Sequence, residues 1–350
     1  MKILIAASNM VHINNFHRPY IDRFVESGYD VKIMASGDGA DFNVGFKKHT
    51  FSLKNLILSL KIRKIIKREK FDVVYLNTTL AAFFIRLAML GMKKRPYVVN
   101  TVHGYLFDKN TNFLKRKIYL LCEKAVKNVT DDIVVMNEED LQIAMSNRLC
   151  LGGVYKINGM GVDFSKEKTE KIEKSNGKIN LVFVGEISKR KNQIFLVRAM
   201  KKLPDYFTLT LVGDGAERKK AEKYIRKNSL SDRVKITGFT NDVYTYLSVA
   251  DIYVSASHIE GLPFNIVEAM RSHLPIVASN IKGQRDLLPA DCLYEYGNED
   301  EYIKLVMNKS LAKTSYDVNR YSLGAVLDEN MKIYERPLEN EKSRIKVSHI

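Results

Sequence analysis

The sequence predicts an α/β protein made of two Rossmann-like domains. Short apolar runs alternate with helix-like stretches, the rhythm of parallel sheets covered on both faces. The rhythm stops at a polar, charged segment over 165–178 and then restarts. A length of 350 residues is material for about two domains.

Each element has a local reason. Lys2–Ala7 is a continuous apolar run too short for a helix and reads as a first buried strand. A signal peptide would need a longer apolar core and a small-residue cleavage site. Asn14–Ser27 reads as a helix closed by Gly28, and Tyr29–Ala35 as a strand. Leu56–Glu69 is helical, Val73–Leu76 a strand, and Thr79–Leu90 a helix stopped by Gly91. Tyr97–Val102 is a strand that runs into His103 and Gly104. A basic helix is expected over Phe113–Lys127, a strand over Ile133–Met136 and a short helix over Glu138–Ser146. The boundaries are therefore 1–164 for the first domain, 165–178 for a linker, and 179–318 for the second domain. A final crossover helix and tail occupy 319–350.

In the second domain, Ile179–Gly185, Phe207–Val212, Val234–Thr237, Ile252–Ser255 and Pro275–Ala278 read as strands. Gln193–Lys202, Ala216–Asn228, Thr240–Val249, Asn265–Arg271 and Glu299–Leu311 read as helices. In such sheets ligands bind beyond the carboxyl ends of the strands, so a cleft lined by strand ends is expected.

Composition removes several classes. Hydrophobic residues are 45% and charged residues 27%, the balance of a folded chain rather than a disordered one. Cys122, Cys150 and Cys292 are scattered without CxxC spacing, which argues against a disulfide scaffold or cysteine zinc site and suits a reducing cytosol. No run of about 18 apolar residues is present to span a bilayer. The net charge of +16 favours an anionic partner: nucleic acid, a phospholipid surface or a phosphorylated small molecule.

Four motifs sit at strand ends. In Glu260-Gly-Leu-Pro-Phe-Asn-Ile-Val-Glu268, a strand enters a loop holding Gly261 and Pro263, and a helix starts near Phe264. The amides of Phe264, Asn265 and Ile266 would form an anion site at the positive end of the helix dipole, with Glu260 and Glu268 near hydroxyls on either side. The alternative is an ordinary loop-to-helix entry with Glu268 solvated. Gly185 and Glu186 end a second strand and precede Lys189, Arg190 and Lys191, which suit a phosphate-bearing ligand or else form a basic surface loop. His103 beside Gly104 would point into the cleft or serve as a structural histidine. Gly213-Asp214-Gly215 is a strand–turn–helix passage that does not match the dinucleotide fingerprint GxGxxG.

Together these residues resemble the retaining GT-B glycosyltransferases of family 4, a group rich in bacterial capsule and exopolysaccharide enzymes. The resemblance runs from Ile3 to about Tyr334, and the Glu260–Glu268 spacing is its most specific mark. It implies two facing domains: an N-terminal one for the acceptor and a C-terminal one for the nucleotide sugar. The last helix, about Leu323–Tyr334, would cross back to the first. It implies that Glu260 contacts donor-sugar hydroxyls, Glu268 holds the ribose, and the amides at 264–266 bind the diphosphate. Lys191, with Arg190, would neutralise that diphosphate, and His103 would face the sugar near the reacting carbon. Gly238 and Phe239 would line the base pocket, with Asp214, Gly215, Gly185 and Glu186 bordering the nucleotide. The family usually has Arg where Glu186 stands, and paired glycines in the first loop, where Ser8, Asn9 and His12 stand here. That variant loop looks like that of the polysaccharide-assembly members.

The expected reaction is retaining transfer of a hexose or N-acetylhexosamine from a UDP-sugar to a lipid-linked saccharide. No Asp-x-Asp pair occurs, so no catalytic metal and no cofactor is expected. Lys47, Lys48, Lys54, Lys61, Arg63, Lys64, Lys67, Arg68 and Lys70 are interleaved with Leu53, Leu56, Ile57, Leu58, Leu60, Ile62, Ile65 and Ile66. This basic amphipathic stretch over 47–70, with its helix over 54–70, and a like helix over 113–127 suit an anionic membrane surface on the cytoplasmic side; the plain alternative is core-facing helices with solvated basic faces. A nucleic-acid-binding protein would explain the charge but lacks an RNP, zinc-finger or helix-turn-helix signature. Two rival readings stay within nucleotide-sugar chemistry: a catalytically silent nucleotide-sugar-binding module, and a GT-B phosphorylase or epimerase.

Overall fold

A computed structural model describes residues 1–47, 52–165, 167, 177–308 and 316–347. The chain divides into two units, Met1–Gly161 with the segment from Leu323 onward, and Val162–Ser322. Residues 162–164 and 319–322 thus fall with the second unit. Most of the expected linker lies outside the described residues.

The first unit runs β1 (Lys2–Asn9), α1 (Met10–Phe16), α2 (Arg18–Glu26), β2 (Asp30–Ser36), β3 (Phe42–Asn43), α3 (Leu53–Glu69), β4 (Val73–Asn77) and α4 (Thr79–Met89). It continues with β5 (Tyr97–Val102), α5 (Phe113–Ala125), β6 (Asp132–Val135), α6 (Glu138–Ser146) and β7 (Val154–Lys156). All pairs are parallel, in the order β3-β2-β1-β4-β5-β6-β7. β1 is central, and its residues Ile3 to Ala7 are buried because helices cover both faces. The chain reverses direction across the sheet between β1 and β4, so their carboxyl ends form a switch point.

Two details correct the sequence reading. The helix expected over Asn14–Ser27 is two helices broken at His17. Pro19, at the second position of α2, has no N–H and would clash with the carbonyl four residues back, so the helix restarts. The loop expected at Ser8–Asn15 is instead the end of β1 and then α1. Asn9 Oδ1 accepts the His12 N–H at 2.9 Å and caps that helix.

The second unit runs β8 (Ile179–Val184), α7 (Gln193–Ala199), β9 (Phe207–Val212), α8 (Arg218–Lys227), β10 (Val234–Gly238), α9 (Tyr244–Ser248) and β11 (Ile252–Ser255). Then follow α10 (Phe264–Arg271), β12 (Ile276–Ser279), β13 (Leu293–Tyr294) and α11 (Glu299–Val306). The sheet order is β10-β9-β8-β11-β12-β13, all parallel. Alternate residues of one strand feed opposite cores: Leu181 and Phe183 pack on one face, Val182 and Val184 on the other. That is why these strands read as unbroken apolar runs. The switch point lies between β8 and β11.

The last helix, α12 (Leu323–Val347), packs on the first unit, as expected. Asn330 Nδ2 donates to Tyr20 Oη at 2.8 Å and to the Gly159 carbonyl at 2.9 Å. The Tyr334 hydroxyl meets Thr101 Oγ1 at 3.0 Å, and Tyr75 donates to the Tyr334 carbonyl. Among the described residues no helix is long and apolar enough to cross a membrane.

Candidate functional site

In the second unit the loops leaving β8 and β11 meet over the switch point. Arg190 and Lys191 come from the first loop and Glu260 from the second. Arg190 donates to Glu260 Oε2 at 2.7 Å, and Lys191 Nζ lies 2.8 Å from Oε1. The two main chains are also tied, since the His258 N–H donates to the Arg190 carbonyl at 2.7 Å. Lys191 and Glu260 are buried, whereas the Arg190 side chain is 43% exposed. Burial pulls the Lys191 ammonium down, against the opposing pull of Glu260. Burial alone would push the Glu260 carboxyl up, but Lys191 and Arg190 outweigh it and hold the group below its ordinary value. Glu260 is thus held as the carboxylate at neutral pH. It is engaged with both cations of the β8 loop, Arg190 and Lys191.

α10 opens next to this knot. Asn265 Nδ2 donates to the carbonyl of Val184, the last residue of β8, at 2.7 Å, which fixes the helix start over the switch point. Of the three amides expected to face an anion, that of Ile266 is already used, donating to the Pro263 carbonyl and to Asn265 Oδ1. One turn in, burial pushes the Glu268 carboxyl up to about 7, with Lys191 pulling the other way. Tyr244 faces the same carboxylate electrostatically, and its buried hydroxyl has no hydrogen-bond partner among the described residues. Orphaned buried polar atoms call for an explanation, and a bound ligand is one.

The neighbouring strand ends close in from the other side. A Cβ on Gly213 would stand 2.1 Å from the Gly185 carbonyl oxygen, and one on Gly215 2.3 Å from that of Ile187, so only glycine fits at either position. Gly213 also bridges to Gly238. Asp214 accepts from the Gly215 N–H and from Arg218, both at 2.7 Å, and these contacts hold its carboxyl below the usual range. Phe239, just past Gly238, is 79% exposed. Glu186 has an exposed side chain, while its carbonyl accepts from Gln193 at 2.7 Å.

Sequence reasoning missed the support beneath the Glu260 loop. Ser279 Oγ donates to the Ser257 carbonyl at 2.6 Å, and Gln284 Nε2 to Ser255 Oγ at 2.8 Å, all within the protein interior. Gly283, at φ +77°, lies so close that a Cβ there would be 2.3 Å from the Gly261 carbonyl oxygen. Small polar residues at the ends of apolar strands gave no periodic signal.

The first unit has its own cluster at the carboxyl ends of β1, β4 and β5. The Ser8 N–H donates to Thr78 Oγ1 at 2.9 Å, and Thr78 itself stands at φ +69°, a costly conformation for a β-branched residue. The His103 ring lies edge-on to His12, with centroids 4.5 Å apart, and 5.2 Å from His17. Burial, then the neighbouring histidines, holds His103 well below its ordinary value, so it is neutral at pH 7. His17 was not expected in this group.

Comparison with known proteins gives a consistent picture. Residues 164–304 match the model of "Glycosyl transferases group 1", and residues 2–133 match "Glycosyl transferase 4-like". EpsD of Bacillus subtilis is 27% identical over 308 residues, covering 82% of this chain and 81% of that one. The UDP-Gal:alpha-D-GlcNAc-diphosphoundecaprenol alpha-1,3-galactosyltransferase of Escherichia coli is 26% identical, covering 73% of this chain and 70% of its own. Among solved structures, Anabaena Alr3699/HepE in complex with UDP and glucose superposes with a TM-score of 0.72 at 19% identity, covering 96% of this chain and 99% of that one. Sucrose-phosphate synthase of Thermosynechococcus elongatus does so at 0.78 and 17%, covering 97% and 100%. The two matched models divide most of the chain between them, and with the paired Rossmann-like sheets they place it among the GT-B glycosyltransferases of the group 1, family 4-like kind.

Proposed function

We propose that the protein moves a hexose or N-acetylhexosamine from a UDP-sugar to a lipid-linked saccharide acceptor in surface-polysaccharide assembly, with retention of configuration. The observation that carries this reading is the knot of Arg190, Lys191 and Glu260 beside the start of α10. Supporting it, the Escherichia coli relative is named for UDP-Gal and a diphosphoundecaprenol acceptor, and a relative in Staphylococcus aureus for capsular polysaccharide biosynthesis.

In this reading the diphosphate lies against the start of α10 and takes the hydrogen bonds of the Phe264 and Asn265 region. Gly261, Gly185, Gly213 and Gly215 let main chain approach the nucleotide closely. Glu268 accepts the ribose hydroxyls, and Phe239 and Gly238 line the base. Asp214 and Glu186 border the nucleotide. As the glycosidic bond breaks, negative charge grows on the β-phosphate. Lys191 and Arg190, already placed by Glu260, stabilise that charge without reorganising. Glu260 thereby orients both cations and keeps one carboxylate edge toward the sugar. In the first unit His103, beside His12 of α1 and the Ser8–Asn9 end of β1, is proposed to face the sugar. No protein nucleophile stands out, so attack from the front face fits best, with the leaving phosphate taking the acceptor's proton. Cations and helix dipole supply what a catalytic metal or cofactor would, so none is needed.

We further assign α3 and α5 to an anionic membrane surface, with the protein peripheral on the cytoplasmic face. Both helices bury some polar residues and leave a stripe of apolar residues exposed. In α3, Asn55 and Ser59 are buried together with Ile62 and Ile66, while Leu53, Leu56, Ile57 and Leu60 are exposed. In α5 the one buried residue is Glu123, while Phe113, Leu114, Ile118 and Leu121 are exposed. Lys54, Lys61, Lys64, Lys115, Arg116, Lys117 and Lys124 flank these stripes, the composition of an interfacial helix.

The test is transfer from a panel of UDP-sugars by purified protein, with Lys191→Ala as the control. The reading expects one donor to be turned over and the variant to lose orders of magnitude in rate while keeping its fold. Near-normal transfer by a folded Lys191→Ala variant would remove that residue from the mechanism.

A further inference from the structure

The three histidines of the first unit form a geometric unit that goes beyond the single role proposed for His103 in transfer. β1 delivers the chain into α1, where Asn9 caps the helix and sets His12 within its first turn. Pro19 forces a break, and the chain turns at His17 so that its ring comes back onto His12. The two Nε2 atoms are 3.3 Å apart. A zinc ion bound tetrahedrally by two imidazoles at ~2.0–2.1 Å places their nitrogens about 3.3–3.4 Å apart. β5 brings His103 to the same end of the sheet. One ring nitrogen from each of the three residues lies within 4.8 Å of the others. Nε2 of His103 is buried and has no hydrogen-bond partner among the described residues.

We propose that His12, His17 and His103 bind one divalent transition-metal ion of the zinc class through their ring nitrogens, and that this ion inhibits the enzyme. The ligand set is all imidazole, with no carboxylate in the group, which suits zinc, cobalt, nickel or copper and disfavours magnesium and calcium. Three protein ligands leave a fourth position for water. The inhibition, unlike the binding, rests on the proposed role of His103: a nitrogen committed to a metal is no longer available to the sugar.

The site is read directly by titrating untagged full-length protein with Co²⁺ after EDTA treatment. The expected result is a tetrahedral visible band that saturates at one equivalent and is displaced by Zn²⁺. In His17→Gln the band is lost and Zn²⁺ no longer raises the melting temperature. The milder His12→Asn, checked for its fold in EDTA, gives the same loss. A wild-type spectrum without the tetrahedral band, or variants that bind like wild type, overturns the proposal. Transfer assays separate it from the enzyme reading. Zn²⁺ reversed by EDTA is expected to inhibit wild type and to spare His17→Gln. Tight binding without inhibition overturns the inhibitory role and removes His103 from the sugar site. Transfer that proceeds in a protein with no Co²⁺ band removes the metal site and leaves the transferase reading standing.

Discussion

Glu268 sits one turn inside α10 with its carboxyl pushed up to about 7 by burial. A folded-state value above the ordinary 4.5 means that ionisation costs stability. Its contribution is fully present at low pH and is lost as pH rises toward 7. Ribose hydroxyls that donate to the carboxylate reverse this preference. The affinity for a UDP-sugar is therefore predicted to fall as pH drops below 7, by up to about tenfold per unit, since one proton must leave. Isothermal titration of UDP-glucose between pH 5.5 and 8 checks this, and Glu268→Gln is expected to flatten the profile. Glu260 presents the opposite case, a buried carboxylate held ionised by two cations. Glu260→Ala leaves Lys191 buried and unpaired, at a cost of about 3–5 kcal/mol. Urea denaturation measures it, with Glu260→Gln losing less stability. The sequence showed both glutamates, because their spacing around a strand–loop–helix passage is local. It did not show that Glu260 grips Arg190 and Lys191, since those residues are about 70 positions away.

At the scale of elements, helix periodicity reports which residues share a face but not which face turns inward. α3 and α5 are examples: their basic amphipathic pattern was visible, while the burial of Asn55, Ser59 and Glu123 was not. Glu123 is held by Arg86 of α4 through paired bonds of 2.9 and 3.1 Å, with both side chains buried. Removing one partner strands a charge, so Glu123→Ala is predicted to destabilise the first unit by about 3–5 kcal/mol in the same denaturation assay. The exposed stripes behave differently. Replacing Ile57, Leu60, Leu114 and Ile118 with serine should abolish flotation with anionic liposomes at low salt while leaving the melting temperature nearly unchanged. Unaltered flotation would contradict the membrane assignment. The loop after β12 shows a further tertiary constraint, hidden because the two loops are distant in sequence. Gly283→Ala is expected to displace the Glu260–Gly261 loop and reduce transfer more than overall stability.

Across the whole molecule, the α/β class and most strands of both sheets were readable, because strands buried on two faces leave unbroken apolar runs. The edge strands β3, β7 and β13 were not, being two or three residues long. The histidine cluster was half readable: His103 stands just past β5 and His12 in the segment that follows β1, whereas His17 joins them only through the break before Pro19. The central claim is that one ligand-binding wall lies where β8 and β11 diverge, built from the Arg190–Lys191–Glu260 knot and the start of α10. A crystal structure with UDP bound tests it most directly. The account predicts the diphosphate against the Phe264–Asn265 end of α10, within reach of Lys191, and the ribose on Glu268. A nucleotide bound elsewhere in the second unit, or a Glu268 turned away from it, would contradict the account.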